Sequence, residues 1–482
     1  MATVGLPSEL KAELDYSLPA GMSSYHVRVT PSNLSQVQSS TQAIGASSTI
    51  QFTNTSANII FELPTSSGSR TVIDPRFTSI SFRANYEVVV AGTGVNITNC
   101  QLRSHAMAYF NRSFTQAGGV ILEDIANYDV INDFALQMEV DAPQRDVLSS
   151  CYGTLFEAQA ASSQNNANGH LVNGIDATNG ITAGSKYYSY SVPLLNSIIG
   201  KGASKFFEIS AVNKMQIVLS TAPLLPISFV SGTQTSGSPT FRVTLDNFQL
   251  NCVYINLGAE ASRLLAKSGP KYYNAITWRS STSTIASGTA GAVTSLVGVR
   301  GSSVRSLFVR ATEVTATPST AACINGIFDS KALTASSLAW NIGGLSVPSN
   351  PISVINNPSL CFLQTQQAYN SFDPSSFKSS VVPSRYFVYL PSSTTLPTDS
   401  DQIFTVAGNA SSIPSQSMWA WGISLETVAK SGILDGANLN ASSTFLQSTL
   451  ATGPTNAVTL FFLAKMDAIY VISDDGNVSV RI

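Results

Sequence analysis

Charge is scarce in this chain. Only 11% of its 482 residues are Asp, Glu, Lys or Arg, and the formal net charge is −2, whereas soluble domains carry about 25% charged residues. Surface polarity must therefore come largely from Ser, Thr, Asn and Gln, which suit strands, turns and broad interfaces. Because phosphate neutralisation needs clustered Lys and Arg, we expect no sequence-specific binding of nucleic acid.

Cysteine and histidine are also few. The five cysteines are an odd number and are widely spaced, which predicts reduced, packed thiols rather than a disulfide scaffold; they are Cys100, Cys151, Cys252, Cys323 and Cys361. The three histidines are His26, His105 and His170. We expect each to have an ordinary structural or surface role.

Motifs for catalysis, nucleotides and metals are missing. The sequence has no H-E-x-x-H, C-x-x-C, G-x-S-x-G or Walker A pattern. Ile199-Gly200-Lys201-Gly202 is a fragment of a phosphate loop, but Leu195 stands where the first glycine is needed. Asp474-Asp475 could bind calcium, although a hairpin turn explains both residues. We therefore predict that the chain is not an enzyme and has no catalytic residue, cofactor or metal.

Segments for export or membrane insertion are not found either. Residues 1–20 lack a basic start and an apolar core, so no secretory signal is predicted, and no apolar run approaches about 18 residues. Residues 1–22 have the features of an arm, with Leu10 and Leu14 one turn apart on a short helix. The alternatives are a frayed terminus and an arm for assembly that docks on a neighbouring subunit or an underlying layer.

What the chain has in quantity is strand pattern. In Thr78–Val90 apolar residues alternate with polar ones, which predicts a strand with one buried face. Helices are predicted at Asn127–Val140 and Ser424–Ser431. Further strands are predicted at Tyr25–Val29, Thr49–Leu63, Gly119–Glu123, Lys214–Leu219, Lys271–Ile285, Ser303–Val314, Ser353–Thr365, Tyr386–Leu390 and Gln402–Val406.

Each half of the chain is closed by a long strand. Thr240–Leu257 closes the first, and Ala457–Ile472 closes the second before an Asp-Gly turn and a short return strand. We predict an all-β protein of two consecutive eight-stranded jelly rolls, with short helices in the loops and the linker. The predicted units are an N-terminal arm (1–22), a first jelly roll (23–258), a linker helix (259–270) and a second jelly roll (271–482).

This organisation resembles the double jelly-roll major capsid proteins of the tectivirus–adenovirus lineage, including virophages and polinton-like viruses. The resemblance depends on FFLAKMDAIYVISDDGNVSV near the C-terminus, on Thr240–Leu257 and on the restart at Lys271. It implies a homotrimer in which six upright rolls form a pseudo-hexagonal capsomer of an icosahedral capsid. It also implies a virion location, minor capsid or penton proteins as partners, and an inner membrane layer in some relatives.

Two other functions stay open at this stage. A virion spike, fibre or adhesin could use jelly rolls to bind a receptor or glycan. An enzyme on a β-sandwich, such as a glycoside hydrolase, would need two carboxylates flanking the bond, whereas the acidic residues here are sparse and scattered. The capsid function is the one that the sequence favours.

Overall fold

The computed structural model describes most of the chain. The described residues are 22–39, 42–43, 57–65, 70–90, 99–102, 104–153, 171–173, 185–203, 205–223, 225–229, 240–266, 269–313, 328, 330–370, 379, 381, 418–426, 436–473 and 476–482.

The first half contains fourteen strands among the described residues. They are β1 (Ser23–Val29), β2 (Gln36–Gln38), β3 (Gln42–Ala43), β4 (Asn58–Glu62), β5 (Thr71–Val90), β6 (Asn99–Leu102), β7 (Phe110–Ala117), β8 (Val120–Ala126), β9 (Leu171–Asn173), β10 (Ser185–Pro193), β11 (Phe207–Glu208), β12 (Met215–Thr221), β13 (Ile227–Phe229) and β14 (Thr240–Asn256). The helices are α1 (Tyr128–Glu139), α2 (Ala142–Val147) and α3 (Ser149–Tyr152), with 3-10 turns at Ala106–Tyr109 and Ile209–Ala211.

The second half follows helix α4 (Ala259–Ala266). Its elements are β15 (Lys271–Ile285), β16 (Gly291–Leu296), β17 (Val304–Glu313), β18 (Ala335–Ile342), β19 (Leu345–Ile352), α5 (Pro358–Tyr369), β20 (Trp421–Ser424), β21 (Thr444–Leu450), β22 (Val458–Ile472) and β23 (Val478–Arg481).

The two halves have the same sheet topology. In the first, one sheet follows the order β1-β14-β5-β10 and the other β4-β12-β7-β8; in the second, the orders are β15-β22-β17-β20 and β16-β21-β18-β19. If the eight principal strands of each half are numbered along the chain, both halves place the first, eighth, third and sixth in one sheet, and the second, seventh, fourth and fifth in the other. This double Greek-key order is a jelly roll. The predicted pair of rolls is confirmed, and we call them the first and the second roll.

Strand β5 shows why these sequences fold as strands. Ile80, Phe82, Ala84 and Tyr86 are buried, while the residues between them are partly exposed. That period of two is the pattern that predicted the strand, and it turns one face of the sheet toward the core.

The hairpin that ends the chain is present in the structure. Strand β22 pairs with β15 along its whole length. Strand β23 pairs with the last four residues of β22, with Ile472 opposite Val478. Gly476 has φ +81, a conformation that glycine adopts without the steric cost of a Cβ. Residues 474–475, on which the hypothesis of a calcium site depends, lie outside the described residues.

Two other local predictions meet different outcomes. Helix α1 confirms the helix predicted at Asn127–Val140. The strand predicted at Ser353–Thr365 is wrong, because a turn is followed there by helix α5 with Pro358 in its first turn, a position that favours proline.

Some predicted elements lie partly or wholly outside the described residues. Ser424 ends strand β20 rather than starting a helix, and 427–431 lie outside the described residues. So do the predicted strands at 386–390 and 402–406 and the N-terminal part of the strand predicted at 49–63.

The buried apolar residues form two clusters, and one of them crosses between the rolls. The second roll has its own core, with Trp340, Trp421 and Phe462. The larger cluster fills the first roll and continues through Trp278 and Phe308 of the second. The two rolls therefore share buried hydrocarbon along the surface where they meet, which we call the junction.

Candidate functional site

The histidines and the arm leucines considered in the sequence do not form a described site. His26 lies exposed on β1. His105 is buried, and its Nδ1 accepts a hydrogen bond of 3.0 Å from the backbone N–H of Met107 at the start of a 3-10 turn. His170, Leu10 and Leu14 lie outside the described residues. His105 thus has a local structural function.

The phosphate-loop fragment is a packed turn. A Cβ on Gly200 would lie 2.6 Å from the carbonyl oxygen of Leu194, and one on Gly202 would lie 2.1 Å from the carbonyl oxygen of Ile276. Contact distances this short leave room only for glycine. Both glycines are therefore explained by packing, and the second one lies at the junction.

Trp419 and Trp421 belong to the core of the second roll. Both indoles are buried, and Trp421 stacks on Trp340 with ring centroids 5.6 Å apart. Its Nε1–H donates to Oε1 of Gln364 over 3.0 Å. These rings pack inside the protein and are not a surface for recognition.

No candidate metal site lies among the described residues. In the part of the chain that the structure describes, no three His, Cys, Asp or Glu side chains come together so that they could hold a metal ion. None of the described helices combines the length and the apolar character needed to cross a bilayer.

Buried polar groups lie at the junction, and one of them is Glu123 of β8. Its carboxylate is 2% exposed. It accepts bonds of 3.0 Å from the backbone N–H of Ser197 and 2.6 Å from Oγ1 of Thr277, which lies on β15 of the second roll. Burial raises the pKa of Glu123, and these hydrogen bonds oppose the rise. The carboxylate of Glu123, on the first roll, thus accepts one of its hydrogen bonds from the second roll.

A fully buried ion pair also joins the two rolls. Arg310 of β17 and Asp133 of α1 are both 0% exposed, with 2.8 Å between the guanidinium nitrogen and Oδ2. Ser104 and Gln137 also donate to this carboxylate, and Arg310 donates to the carbonyl oxygen of Val130 over 3.3 Å. Dense bonding of this kind is what makes a buried ion pair tolerable.

Next to the ion pair lies Asp129, also on α1. It is 3% exposed, and its Oδ1 accepts a bond of 2.9 Å from the backbone N–H of Val130. Burial raises the pKa of Asp129 to about 7. The neighbouring charge of Asp133 adds to that rise, and Arg310 opposes it.

Aromatic rings from both rolls surround these polar groups. Phe134 of α1 lies 6.4 Å from Trp278, 4.8 Å from Phe308 and 5.6 Å from Tyr369, measured between ring centroids. Such pairs add about 0.5–1.5 kcal/mol each beyond the burial of their area. The first roll therefore inserts one ring into an aromatic pocket of the second.

A largely buried lysine, Lys465, lies beside the aromatic contacts at the C-terminal end of α1. Nζ of Lys465 donates to the carbonyl oxygen of Tyr369 over 2.9 Å, and burial lowers the pKa of this lysine. The hydroxyl group of Tyr369 donates to Oε1 of Glu139 over 2.6 Å. The contacts between the rolls thus run from β8 to the last turn of α1.

The opposite face of the first roll is different. The side of the β1-β14-β5-β10 sheet that points away from the core, which we call the outer face, is polar and carries ion pairs between neighbouring strands. Arg83 pairs with Asp246 over 2.7 Å, and Arg242 pairs with Glu87 over 2.7 Å. These two ion pairs balance four of the charges on this face within the chain.

Sequence reasoning missed the junction, although one signal was available. Arg310 interrupts an apolar run, and such a charge inside a buried strand requires a buried partner. The partner could not be found from spacing, because Asp133 is far away in the chain and on the other roll.

Comparison with solved structures gives the fold. A chain of the Sputnik virophage matches with a TM-score of 0.55 and 14% identity, over 97% of this chain and 89% of that one. The major capsid protein of mavirus matches with a TM-score of 0.52 and 14% identity, over 95% and 90%. That of Faustovirus matches with a TM-score of 0.53 and 11% identity, over 96% and 94%.

The chain is a double jelly roll. No protein-family model and no curated protein sequence matches it. The likeness therefore lies in the arrangement of strands, and it extends over nearly the whole length of both partners.

Proposed function

We propose that this double jelly roll is a major capsid protein that forms homotrimeric, pseudo-hexagonal capsomers of an icosahedral virus. The observation that supports this most is the match in fold, over almost the full chain, to the major capsid proteins of mavirus and Faustovirus. The junction supports it further, since a buried ion pair and aromatic contacts join the two rolls, and a capsomer wall is built from both rolls together. The scarcity of charge also fits, because low-charge surfaces cost less to bury between subunits.

Other parts of the proposal follow from this one. The protein is located in the virion and is structural rather than enzymatic. Its partners are its own copies, with minor capsid or penton proteins at the remaining positions and a membrane as one candidate for the inner layer. We take 23–258 and 271–482 as the rolls and 259–270 as the linker.

Light scattering and electron microscopy of the purified full-length chain test the function. We expect trimers in solution, hexagonal outlines in negative stain and shells under assembly conditions. Elongated particles that bind a receptor or glycan would support a spike, fibre or adhesin instead. A stable monomer at micromolar concentration would contradict the capsomer.

We also propose that the arm, residues 1–22, serves assembly rather than folding. A helix as short as the one around Leu10 and Leu14 is unstable alone and needs a surface on which to dock. Deletion of residues 2–20 should leave trimers with a nearly unchanged melting temperature but impair the closure of shells. Normal particles from the truncated chain, or a chain that fails to fold, would rule this role out.

A further inference from the structure

Three polar side chains from separate parts of the second roll meet at one carboxylate. Glu313 is the last residue of β17, Lys331 precedes β18, and Asn456 precedes β22. Nζ of Lys331 donates to Oε2 of Glu313 over 2.9 Å, and Nδ2 of Asn456 donates to Oε1 of the same carboxylate over 2.8 Å. The two oxygens of Glu313 thus contact two different nitrogens.

This cluster is largely closed to solvent. The side chains of Lys331 and Glu313 are 16% and 7% exposed. Val458, which pairs with Glu313 across the sheet, is buried, and so is Phe328, shortly before Lys331 in the chain. A site from which most water is excluded protects reacting groups from competing hydrolysis.

The backbone on both sides of the cluster is held in place. The backbone N–H of Lys331 donates to the carbonyl oxygen of Ala311 over 2.8 Å. Two residues before Asn456, the carbonyl oxygen of Pro454 accepts a bond of 2.7 Å from the backbone N–H of Gly288. Groups that the fold holds together in this way react without the entropic cost of finding each other.

We propose that Lys331 and Asn456 join in an intramolecular isopeptide bond, with Glu313 as the general base and the general acid. The inference does not depend on the proposed capsomer, because the chemistry takes place within one chain. It makes the second roll the site of a covalent modification that the chain catalyses itself.

The reaction is an exchange of one amide for another and needs no further reactant. The carboxylate of Glu313 takes a proton from the ammonium group of Lys331, and the neutral Nζ attacks Cγ of Asn456. The Nζ–Cγ bond forms and the Cγ–Nδ2 bond breaks. Of the two protons that Nζ loses, one converts the leaving NH2 group to ammonia and the other makes it ammonium, so that Glu313 ends as a carboxylate.

The observed contacts equip Glu313 for both proton transfers. One of its oxygens lies against the nitrogen that must lose a proton, and the other lies against the nitrogen that must gain one. Both distances are within the reach of a general acid or base. The carboxylate can therefore pass a proton from the nucleophile to the leaving group without changing its position.

A similar group on the first roll provides the matched control. Nζ of Lys214 lies 3.3 Å from Oε1 of Glu62, and Nε2 of Gln216 donates to that same oxygen over 2.6 Å. The side chains of Lys214 and Glu62 are 68% and 43% exposed. Because both nitrogens contact one oxygen and water has access, we expect no bond there.

Mass spectrometry of the purified full-length chain tests the proposal. The intact mass should be lower than the mass of the sequence by one molecule of ammonia. Trypsin does not cleave after an acylated lysine, so digestion should give a branched peptide that joins the segment around Lys331 to the segment that contains Asn456. An intact mass equal to that of the sequence, cleavage after Lys331, or a loss of ammonia at other residues would overturn the proposal.

Variants test the parts played by the side chains. Lys331→Arg keeps a cation beside Glu313 but cannot form the bond, so its mass should equal that of its sequence. General acid–base catalysis contributes about 10²–10⁴-fold, and Glu313→Gln, shown to be folded by circular dichroism, should form the bond more slowly by a factor of this order. Lys214→Arg should lose ammonia as the unmodified chain does. A bond that forms at an unchanged rate in Glu313→Gln would overturn the role of Glu313, and a loss of ammonia that persists in Lys331→Arg would overturn the bond itself.

Discussion

At the scale of single residues, buried charge distinguishes the junction from an ordinary apolar core. Replacement of Arg310 by Met would leave Asp133 buried without its cation, and removal of one partner from a buried pair costs about 3–5 kcal/mol. The matched control is Arg112→Met, because the Arg112–Asp124 pair is 47% and 39% exposed and exposed pairs contribute about 0–1 kcal/mol. Denaturant unfolding at a fixed protein concentration measures both losses of free energy. Equal losses would contradict the structural role given to Arg310.

The raised pKa of Asp129 predicts that the stability of the protein depends on pH. Its pKa is raised to about 7 in the folded protein, above the value of about 3.9 for an unfolded aspartate. The folded state therefore binds more protons between these two values, and the free energy of unfolding that Asp129 contributes falls as the pH rises from about 4 to about 7.

Asp129→Asn removes this titration. Since one pKa unit corresponds to about 1.4 kcal/mol, the variant should gain roughly 2–4 kcal/mol relative to the unmodified chain between pH 5 and pH 8. The measurement is the difference in unfolding free energy between the two proteins at each pH, which cancels the contribution of Glu123. A difference that does not change with pH would contradict the raised pKa.

At the scale of elements, secondary structure was predicted best where a segment shows a single hydrophobic period. Strand β5 alternates cleanly because one side faces the core and the other is polar. Helix α5 was mistaken for a strand because its own pattern is mixed: Cys361 and Thr365 pack inward, whereas Leu360 and Leu363 remain exposed. Apolar residues on both the buried and the exposed side of a helix blur the period from which a helix is recognised.

The closing hairpin, formed by β22 and β23, is expected to stabilise the contact between the two rolls. Val478, Val480 and Ile482 are partly buried against the shared core, and β23 also contacts β8 of the first roll. Truncation after Ser473 should therefore lower the free energy of unfolding by about 2–4 kcal/mol, since each of these side chains gains part of the roughly 1.5–3 kcal/mol of full burial. The control replaces the exposed Ser479 and Arg481 by Ala and should change it by less than about 0.5 kcal/mol. An unchanged melting temperature after truncation would show that the hairpin does not hold the rolls together.

At the scale of the whole molecule, the pair of rolls could be predicted because it is repeated: each half ends in a long strand, and turns separate alternating segments. Their mutual placement could not be predicted. It depends on contacts such as Phe134 with Trp278 and Glu123 with Thr277, which join distant parts of the chain and leave no period in the sequence.

At the junction, the first roll covers the larger sheet of the second roll, through contacts such as Phe134 with Trp278 and Phe308. Expressed alone, residues 271–482 would expose Trp278, Phe308 and Leu463, which are buried in the whole chain. A patch of large apolar side chains on a free surface promotes association. The isolated roll should therefore aggregate and bind a hydrophobic dye. Trp278→Ser with Phe308→Ser should increase the soluble fraction of the isolated roll. In the full chain the same changes should cost several kcal/mol, because loss of a buried aromatic ring costs about 3–5 kcal/mol. A soluble, monomeric fragment that needs no such change would mean that the second roll does not depend on the first to cover it.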